Sequence, residues 1–293
     1  MPVHSVFDVR IQAQKESTTG MLGTWRRLPK GLRYKAAIAW YDFLTRLDRK
    51  GEVVFLNHGF APDGADRMDI DLEPQDEAER YAIQLYHHTA SPEGCPVDWT
   101  GRDALEVGCG RGGGASYVAR YLKPRSLVGL DIAGKAIEHC RRRHTAPNLS
   151  FRQGDAQALP FPDASFDIVL NVESSGSYPD KAAFFAEVAR VLRPGGHFLF
   201  ADYRRKDAMR KLRRQLAAMP LTPVSEQDIS DNVRRGLLLD DGHKRRLIDR
   251  TVPWPLRGLA RQFAFISRGE GDEAHALASG DRVYISGVFV KPA

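Results

Sequence analysis

Three acidic residues raise the first chemical question in this 293-residue chain: Glu106, Asp131 and Asp155. Glu106 stands just before a glycine-rich loop in "LEVGCGRGGGAS" (105–116). Asp131 closes the apolar run "SLVGLDI" (126–132), and Asp155 is the centre of "GDA" (154–156). Glycines let backbone approach a ligand closely. Within the loop, "GCGRGG" (Gly108 to Gly113) satisfies G-x-G-x-x-G, and Asp131 follows Gly110 at about twenty residues, as in a dinucleotide fingerprint. A P-loop is excluded, because no Gly-Lys-Ser/Thr follows. Glu106 would repel a pyrophosphate but suits a ligand carrying an ammonium and a sulfonium. Asp131 can accept hydrogen bonds from two ribose hydroxyls, Ile132 can pack on a flat base, and Asp155 can accept from the amino group of adenine. "NVE" (171–173) brings Asn171 and Glu173 to the end of a further apolar run. The pattern is a nucleoside held along four strand ends with no phosphate grip. A nicotinamide oxidoreductase is the rival suggested by "GCGRGG"; Glu106 and "GDA" oppose it.

The elements that must position these residues alternate. Apolar runs at 103–109, 126–132, 149–156, 165–173 and 197–203 read as strands. Helical periodicity at 115–122, 134–144 and 180–192 separates them, the last stopped by "RPGG" (193–196). A further strand is expected at 281–293. Strands separated by helices imply an α/β fold with a parallel sheet covered on both faces. Ligands of such sheets bind beyond the carboxyl ends of the strands, where strand order reverses, and every candidate above lies at such an end.

The flanks are expected to be helical. "GLRYKAAIAWYDFLTRLDRKGE" (31–52) places Trp40, Phe43, Leu44 and Leu47 at helical spacing, and "DEAERYAIQLYHHTA" (76–90) reads as a second amphipathic helix. The segment 204–280 reads as helices and loops forming a substrate cap, with Trp254, Phe263 and Phe265 as apolar candidates for its lining. The organisation expected is therefore a helical N-terminal cap over 1–100, a ligand-binding core over 101–203, the cap over 204–280, and a strand over 281–293 that completes the core sheet.

Composition narrows the class. Hydrophobic residues make up 42% and charged residues 27%, ordinary for a soluble globular protein. No apolar run of about 18 residues suggests a membrane span, and the N-terminus lacks a signal-peptide pattern. A cytoplasmic location is expected. The net charge of +6 and the clusters "RRRH" (141–144) and "RRKDAMRKLRRQ" (204–215) read as solvated helix faces, because acids are spread throughout and no aromatic residues interleave the basic runs. Nucleic acid is not an expected partner; self-association is left open. Cys95, Cys109 and Cys140 fall at no metal-ligand spacing and read as unlinked thiols, so no metal is expected.

Taken together, "LEVGCGRGGG", "VGLDI", "QGDAQALPFPDASFDIVLNVE" and "FFAEVARVLRPGGHFLFAD" resemble the class I S-adenosylmethionine-dependent methyltransferases. The resemblance implies a Rossmann-like seven-stranded sheet and S-adenosyl-L-methionine as cofactor. It implies that Gly108 and Gly110 approach the methionine part and that Asp131 binds ribose. Ile132 would flank adenine, Asp155 and Ala156 would read its edge, and Asn171 would lie near the methionine moiety. A finer resemblance, in "FLNHGFA" (55–61), "RYAIQLYHHTA" (80–90), "NVESSGSYPD" (171–180) and "SEQDISDNVRRGLLLD" (225–240), is to natural-product O-methyltransferases. That group includes the phthiotriol and phenolphthiotriol dimycocerosate, glycopeptidolipid and polyketide tailoring enzymes. It implies a small-molecule acceptor methylated on a hydroxyl of a polyketide, lipid or glycosylated metabolite. C- or N-methylation of a secondary metabolite is the alternative, and a non-catalytic cofactor-binding protein a further one.

Many of these relatives read E-x-S-H-x-Y-P where this chain has "ESSGSYP". Gly176 stands in place of the histidine, a natural general base, and is expected to open space near the transferring methyl. Glu173 becomes the first candidate base. His87 is a further candidate, with His88 and His58 behind it, and Tyr178 is a candidate to orient the acceptor. Period-two geometry along the strand would put Asn171 and Glu173 on the same side.

Overall fold

The computed structural model describes residues 39, 42, 43, 45, 47, 48, 50–263 and 273–293. Trp40, Leu44 and Phe265, and the side chain of Phe263, lie outside them. Its centre is a seven-stranded sheet with the order β3-β2-β1-β4-β5-β7-β6. The strands are β1 (Asp103–Val107), β2 (Ser126–Asp131), β3 (Leu149–Gln153), β4 (Phe166–Val172), β5 (Leu192–Arg205), β6 (Thr222–Asp228) and β7 (Arg282–Val290). β1 to β5 run parallel, and β7 inserts antiparallel between β5 and β6. The chain winds outward from β1 to β3 and returns to the other side of β1 as β4. That reversal opens a crevice at the carboxyl ends of β1 and β4.

The helices are α1 (Arg80–Ala90), α2 (Gly113–Tyr117, wound more widely over Val118–Leu122), α3 (Gly134–Arg143), α4 (Lys181–Val191), α5 (Lys206–Ala217), α6 (Ser230–Thr251), α7 (Arg257–Phe263) and α8 (Glu273–Ala278). Alternation along each strand divides the core into two layers. Ile168, Leu170, Leu199, Ala201, Tyr284 and Val288 pack with Ile83, Leu85, Tyr117, Ile137, Val233 and Leu277, from α1, α2, α3, α6 and α8. The neighbours Val169, Phe198, Phe200, Ile285 and Phe289 face the other way, onto Phe184, Val188 and Leu212 of α4 and α5. α4 begins where Asp180 accepts the Ala183 N–H at 3.0 Å, an N-cap, and ends as Leu192 turns extended before Pro194.

One strand was not legible in advance. β6 lies within the segment 204–280 expected to hold helices and loops. Its residues, "TPVSEQD", are mostly exposed and carry no apolar alternation, because β6 is an edge strand with one neighbour. α6 then crosses over the sheet. Its Gly236 lies against the backbone of Gly59 and Phe60, where an added Cβ would stand 2.3 Å from the Phe60 nitrogen. No helix among the described residues is long and apolar enough to cross a membrane.

Candidate active site

A pocket opens at the carboxyl ends of β1, β2 and β4, lined by the glycine loop, Asp131, Ile132, Gly154 and Ala156 on one side and by Glu173, Ser174, Tyr178 and Tyr203 on the other. Val54, Phe55, Leu56 and Asn57 cover it. The turn after β1 needs Gly108 twice over. Its φ of 77° is left-handed, and a Cβ there would stand 2.3 Å from Ser174 Oγ and 2.7 Å from the Tyr178 hydroxyl. Asp131 braces the same turn: Oδ2 accepts the Gly110 N–H at 2.9 Å, and Oδ1 accepts the Ala133 N–H at 2.9 Å. Burial pushes its carboxyl up, partly offset by these N–H groups.

Glu106 is fully buried one layer behind the pocket wall. Tyr86, which does line the pocket, donates to its Oε1 at 2.8 Å, while Oε2 has no hydrogen-bond partner among the described residues. Burial raises the Glu106 carboxyl to about 7, against the lowering effect of Tyr86. The cover is tied down by Arg111 of the glycine loop, which pairs with buried Asp48 at 2.6 Å. Asp48 in turn accepts the N–H groups of Glu52 and Val53, and the Val54 carbonyl accepts the Gly113 N–H at 3.2 Å.

The other end of the pocket is built around Glu173. It follows β4 with φ of 51°, a left-handed conformation that costs a non-glycine residue about 1–3 kcal/mol. Its Oε1 accepts the His58 backbone N–H at 2.9 Å and the Tyr284 hydroxyl at 2.9 Å. Its Oε2 lies 2.7 Å from His58 Nδ1. An ionised carboxylate has about four lone-pair sites. Three are taken by these donors, and the fourth, on Oε2, has no partner among the described residues.

The stretch 105–200 matches the family model described as a methyltransferase domain. The chain is 44% identical over 253 residues to the fatty-acid O-methyltransferase of Mycolicibacterium smegmatis, covering 86% of this chain and 89% of that protein. It is 46% identical over 224 residues to the phthiotriol/phenolphthiotriol dimycocerosates methyltransferase of Mycobacterium tuberculosis, covering 76% and 81%. The chain belongs to the S-adenosylmethionine-dependent methyltransferases. Two solved structures share the fold of this methyltransferase. The cyclase SpnF has a TM-score of 0.64 at 21% identity, over 87% of this chain and 94% of that one. A geranyl diphosphate methyltransferase in complex with GPP and sinefungin has a TM-score of 0.60 at 18% identity, over 88% and 99%.

The pocket of the methyltransferase fits its cofactor on two counts. Among the described residues no donor meets Asn57 Oδ1, on a lining residue, or Glu106 Oε2, behind the lining Tyr86, and buried acceptors of this kind call for a donor such as an ammonium. Gly110, with φ of 53°, leaves its backbone open to the pocket: only Leu56 Cδ1, 3.9 Å away, lies near an added Cβ. Of the residues expected to hold it, Gly108, Gly110, Asp131, Ile132 and Ala156 line the pocket. Glu106, Asp155 and Asn171 do not. Asp155 is turned onto the backbone and side chain of Gln157 at 2.9 and 3.0 Å. Asn171 is fully buried and donates to the Val107 carbonyl and to Ser174 Oγ, at 2.8 and 2.6 Å.

Several expectations about the acceptor end are corrected. Asn171 and Glu173 do not share a strand face, because Glu173 leaves the strand with reversed backbone handedness. His87 lies outside the pocket lining, its Nδ1 2.6 Å from the Tyr117 hydroxyl. His88 stacks on Phe60, and burial lowers its imidazole to about 4. Gly176 opens no space: Arg204 fills it, with Nη1 3.1 Å from where a Cβ would stand, held by Asp202 and Ser175 at 2.6 and 2.7 Å. Trp254 is 79% exposed and does not line the pocket. Tyr178 does, within hydrogen-bond reach of Ser174 Oγ at 2.8 Å. Asn57, Tyr86 and Tyr203 are lining residues that sequence reasoning missed; the first two come from outside the core expected over 101–203, and Tyr203 is the last residue of its final apolar run.

Proposed function

We propose that this methyltransferase methylates a hydroxyl group on a hydrophobic natural product, with Glu173 taking the hydroxyl proton. The observation that carries the reading is the lone pair left on Glu173 Oε2 at the pocket wall, after three donors have fixed the carboxylate. S-adenosylmethionine supplies a methyl group on a sulfonium, an electrophile that needs only an aligned nucleophile. Asp131 would hold its ribose, Ile132 and Ala156 its base, and Glu106 would act on its ammonium from behind Tyr86. Asp155 would reach the adenine edge only by leaving Gln157. Tyr178 and Tyr203 would orient the acceptor. Removal of the acceptor proton makes oxygen a stronger nucleophile, and Val54, Phe55 and Leu56 give the pocket an apolar wall.

The relative named for fatty-acid methylation raises a carboxylate acceptor as a second reading. A carboxylate needs no base, and it would face the charge of Glu173. At about 4 Å, two like charges in a partly screened site repel by about 4 kcal/mol. The hydroxyl is therefore favoured. Val54, Phe55, Leu56 and Asn57 would cover a diffusible small molecule handled in the cytoplasm.

The test uses a long-chain alkylphenol, a fatty alcohol and a fatty acid as acceptors with isotope-labelled cofactor. Methyl ether formation is expected, with little ester. Glu173→Gln keeps size and loses the base, so turnover of the best acceptor should fall by about 10²–10⁴ while cofactor affinity holds. Ester as the dominant product, or full turnover in Glu173→Gln, would overturn the reading.

A further inference from the structure

We propose that His58 is the positioning residue of Glu173, and that it makes the base depend on the covering segment 54–58 being seated over the pocket. The inference rests on the reading of Glu173 as the base. Nothing next to Glu173 in sequence holds its side chain. Its three donors come from His58, twice, and from Tyr284. His58 is itself buried, 1% exposed, and does not line the pocket. Its ring meets the pocket wall at Glu173 and, edge-on, at Tyr203, whose ring centroid lies 4.6 Å away.

The four residues before it have a different task. Val54, Phe55, Leu56 and Asn57 form the cover above the glycine loop. Cover and clamp are thus one continuous strip of backbone. The strip is anchored from beneath by Lys244 of α6, whose Nζ donates to the carbonyls of Asn57 and His58 at 3.0 and 3.1 Å and pairs with Asp240 at 3.3 Å. If the strip lifts, the pocket opens and Glu173 loses two of its three donors in the same movement. Proton removal is then confined to the covered state, in which water is excluded.

The groups facing His58 define what pH can do. They are Glu173 from the end of β4, Tyr203 from β5, Tyr284 from β7, and Glu273 of α8, whose Oε1 lies 4.0 Å from Nε2. Lys244 and Asp240 lie on the α6 side, and Arg282 pairs with Glu273 at 2.9 Å. Burial holds the Tyr203 and Tyr284 hydroxyls well above their ordinary value, so both remain neutral donors through the working range. Donors to a carboxylate stabilise its charged form. Loss of the His58 ring donor leaves the Glu173 carboxylate held by two groups in place of three.

Three variants test this in the full-length protein, with the best acceptor of the panel above. His58→Asn can place an N–H near the position of Nδ1, His58→Gln reaches toward Nε2, and His58→Ala offers neither. The expected result is a loss of kcat of about 30-fold or more in His58→Ala and His58→Gln. The acceptor KM and the cofactor Kd from calorimetry should stay within about threefold. His58→Asn should recover most of the rate. If His58→Ala does not fold, the Asn and Gln pair decides alone. Equal rates in Asn and Gln, or a loss carried by KM or Kd, would overturn the proposal. Glu173→Gln separates the two readings. An active Glu173→Gln removes the base itself, whereas an inactive one beside a fully active His58→Ala removes only the positioning role.

Discussion

At the cofactor end of the pocket, Asp131 reaches Gly110 across 21 residues and Ala133 across 2. At the acceptor end, Glu173 is gripped by His58 across 115 residues and by Tyr284 across 111. The first end is a product of local turns: one strand, one glycine loop and the next strand bring their own ligand groups into place. The second exists only when the cover, the β4 end and the antiparallel β7 have all come together. A cofactor is common to a family and can be held by a local motif. An acceptor is particular to one enzyme, and the groups that meet it are drawn from segments able to vary independently. The two ends should therefore respond differently to substitution.

Asp131→Ala offers the largest expected effect on the cofactor end. It removes both braces of the glycine turn together with the acceptor proposed for ribose. Cofactor Kd from calorimetry should rise by roughly 10- to 150-fold, or about 1.5–3 kcal/mol for hydrogen bonds to a charged acceptor. At saturating cofactor, kcat should stay within about threefold. That outcome is the mirror image of the one expected for Glu173→Gln. A parallel fall in kcat would break the comparison, because the two ends would then be mechanically joined through Gly108, which abuts Ser174 and Tyr178.

The same contrast sets what could be read from the chain itself. Five parallel strands and their helices were legible, because β1, β2, β4 and β5 carry short, largely buried apolar runs, and β1 to β4 are each closed by a glycine or an acid. Gly108, Gly110, Asp131, Ile132 and Ala156 fell to the pocket for that reason. β6 was not legible, since an exposed edge strand carries no apolar signature. Nor was the partnership of His58 and Glu173, since no spacing rule links residues 115 apart. Asp155 and Asn171 were placed near the right strand ends. Their side chains turn to Gln157 and to the Val107 carbonyl, a choice made by neighbours that periodicity does not report.

A smaller effect is expected from Glu106, and it sharpens the comparison through pH. Its carboxyl titrates near 7 in the folded protein, above the ordinary 4.5. Between those values the folded chain keeps a proton that the unfolded chain has released. This group's contribution to the stability of the cofactor-free protein is therefore present at low pH and lost as pH rises through about 7. A bound ammonium would favour the carboxylate, so cofactor affinity should rise with pH up to about 7, by at most about tenfold per unit, and then level off. Calorimetry in buffers of different ionisation enthalpy should detect a proton released on binding below pH 7. Glu106→Gln should abolish both the release and the slope. A slope that survives in Glu106→Gln would assign it to another group, such as Asp131.

The smallest effect is expected at Gly176, where the chain departs from the histidine pattern of its relatives. If the glycine had left a vacancy, restoring a histidine would supply a second base. Arg204 occupies that place, and its guanidinium is fixed by Asp202, which is buried, and by Ser175. Gly176→His must expel the guanidinium, so it should lower Tm without raising turnover. Gly176→Ala adds a single carbon 3.1 Å from Nη1 and 3.5 Å from Cζ of Arg204, a contact that a shift of a few tenths of an ångström relieves. The residue does not require left-handed backbone, so alanine adds no strain of that kind. Tm should fall by no more than about 2 °C for a chain of this length, and both cofactor Kd and turnover should stay within about threefold. A large loss of turnover with Tm unchanged would mean that Arg204 acts on the acceptor. Responsibility for the acceptor end would then be shared between Glu173 and Arg204.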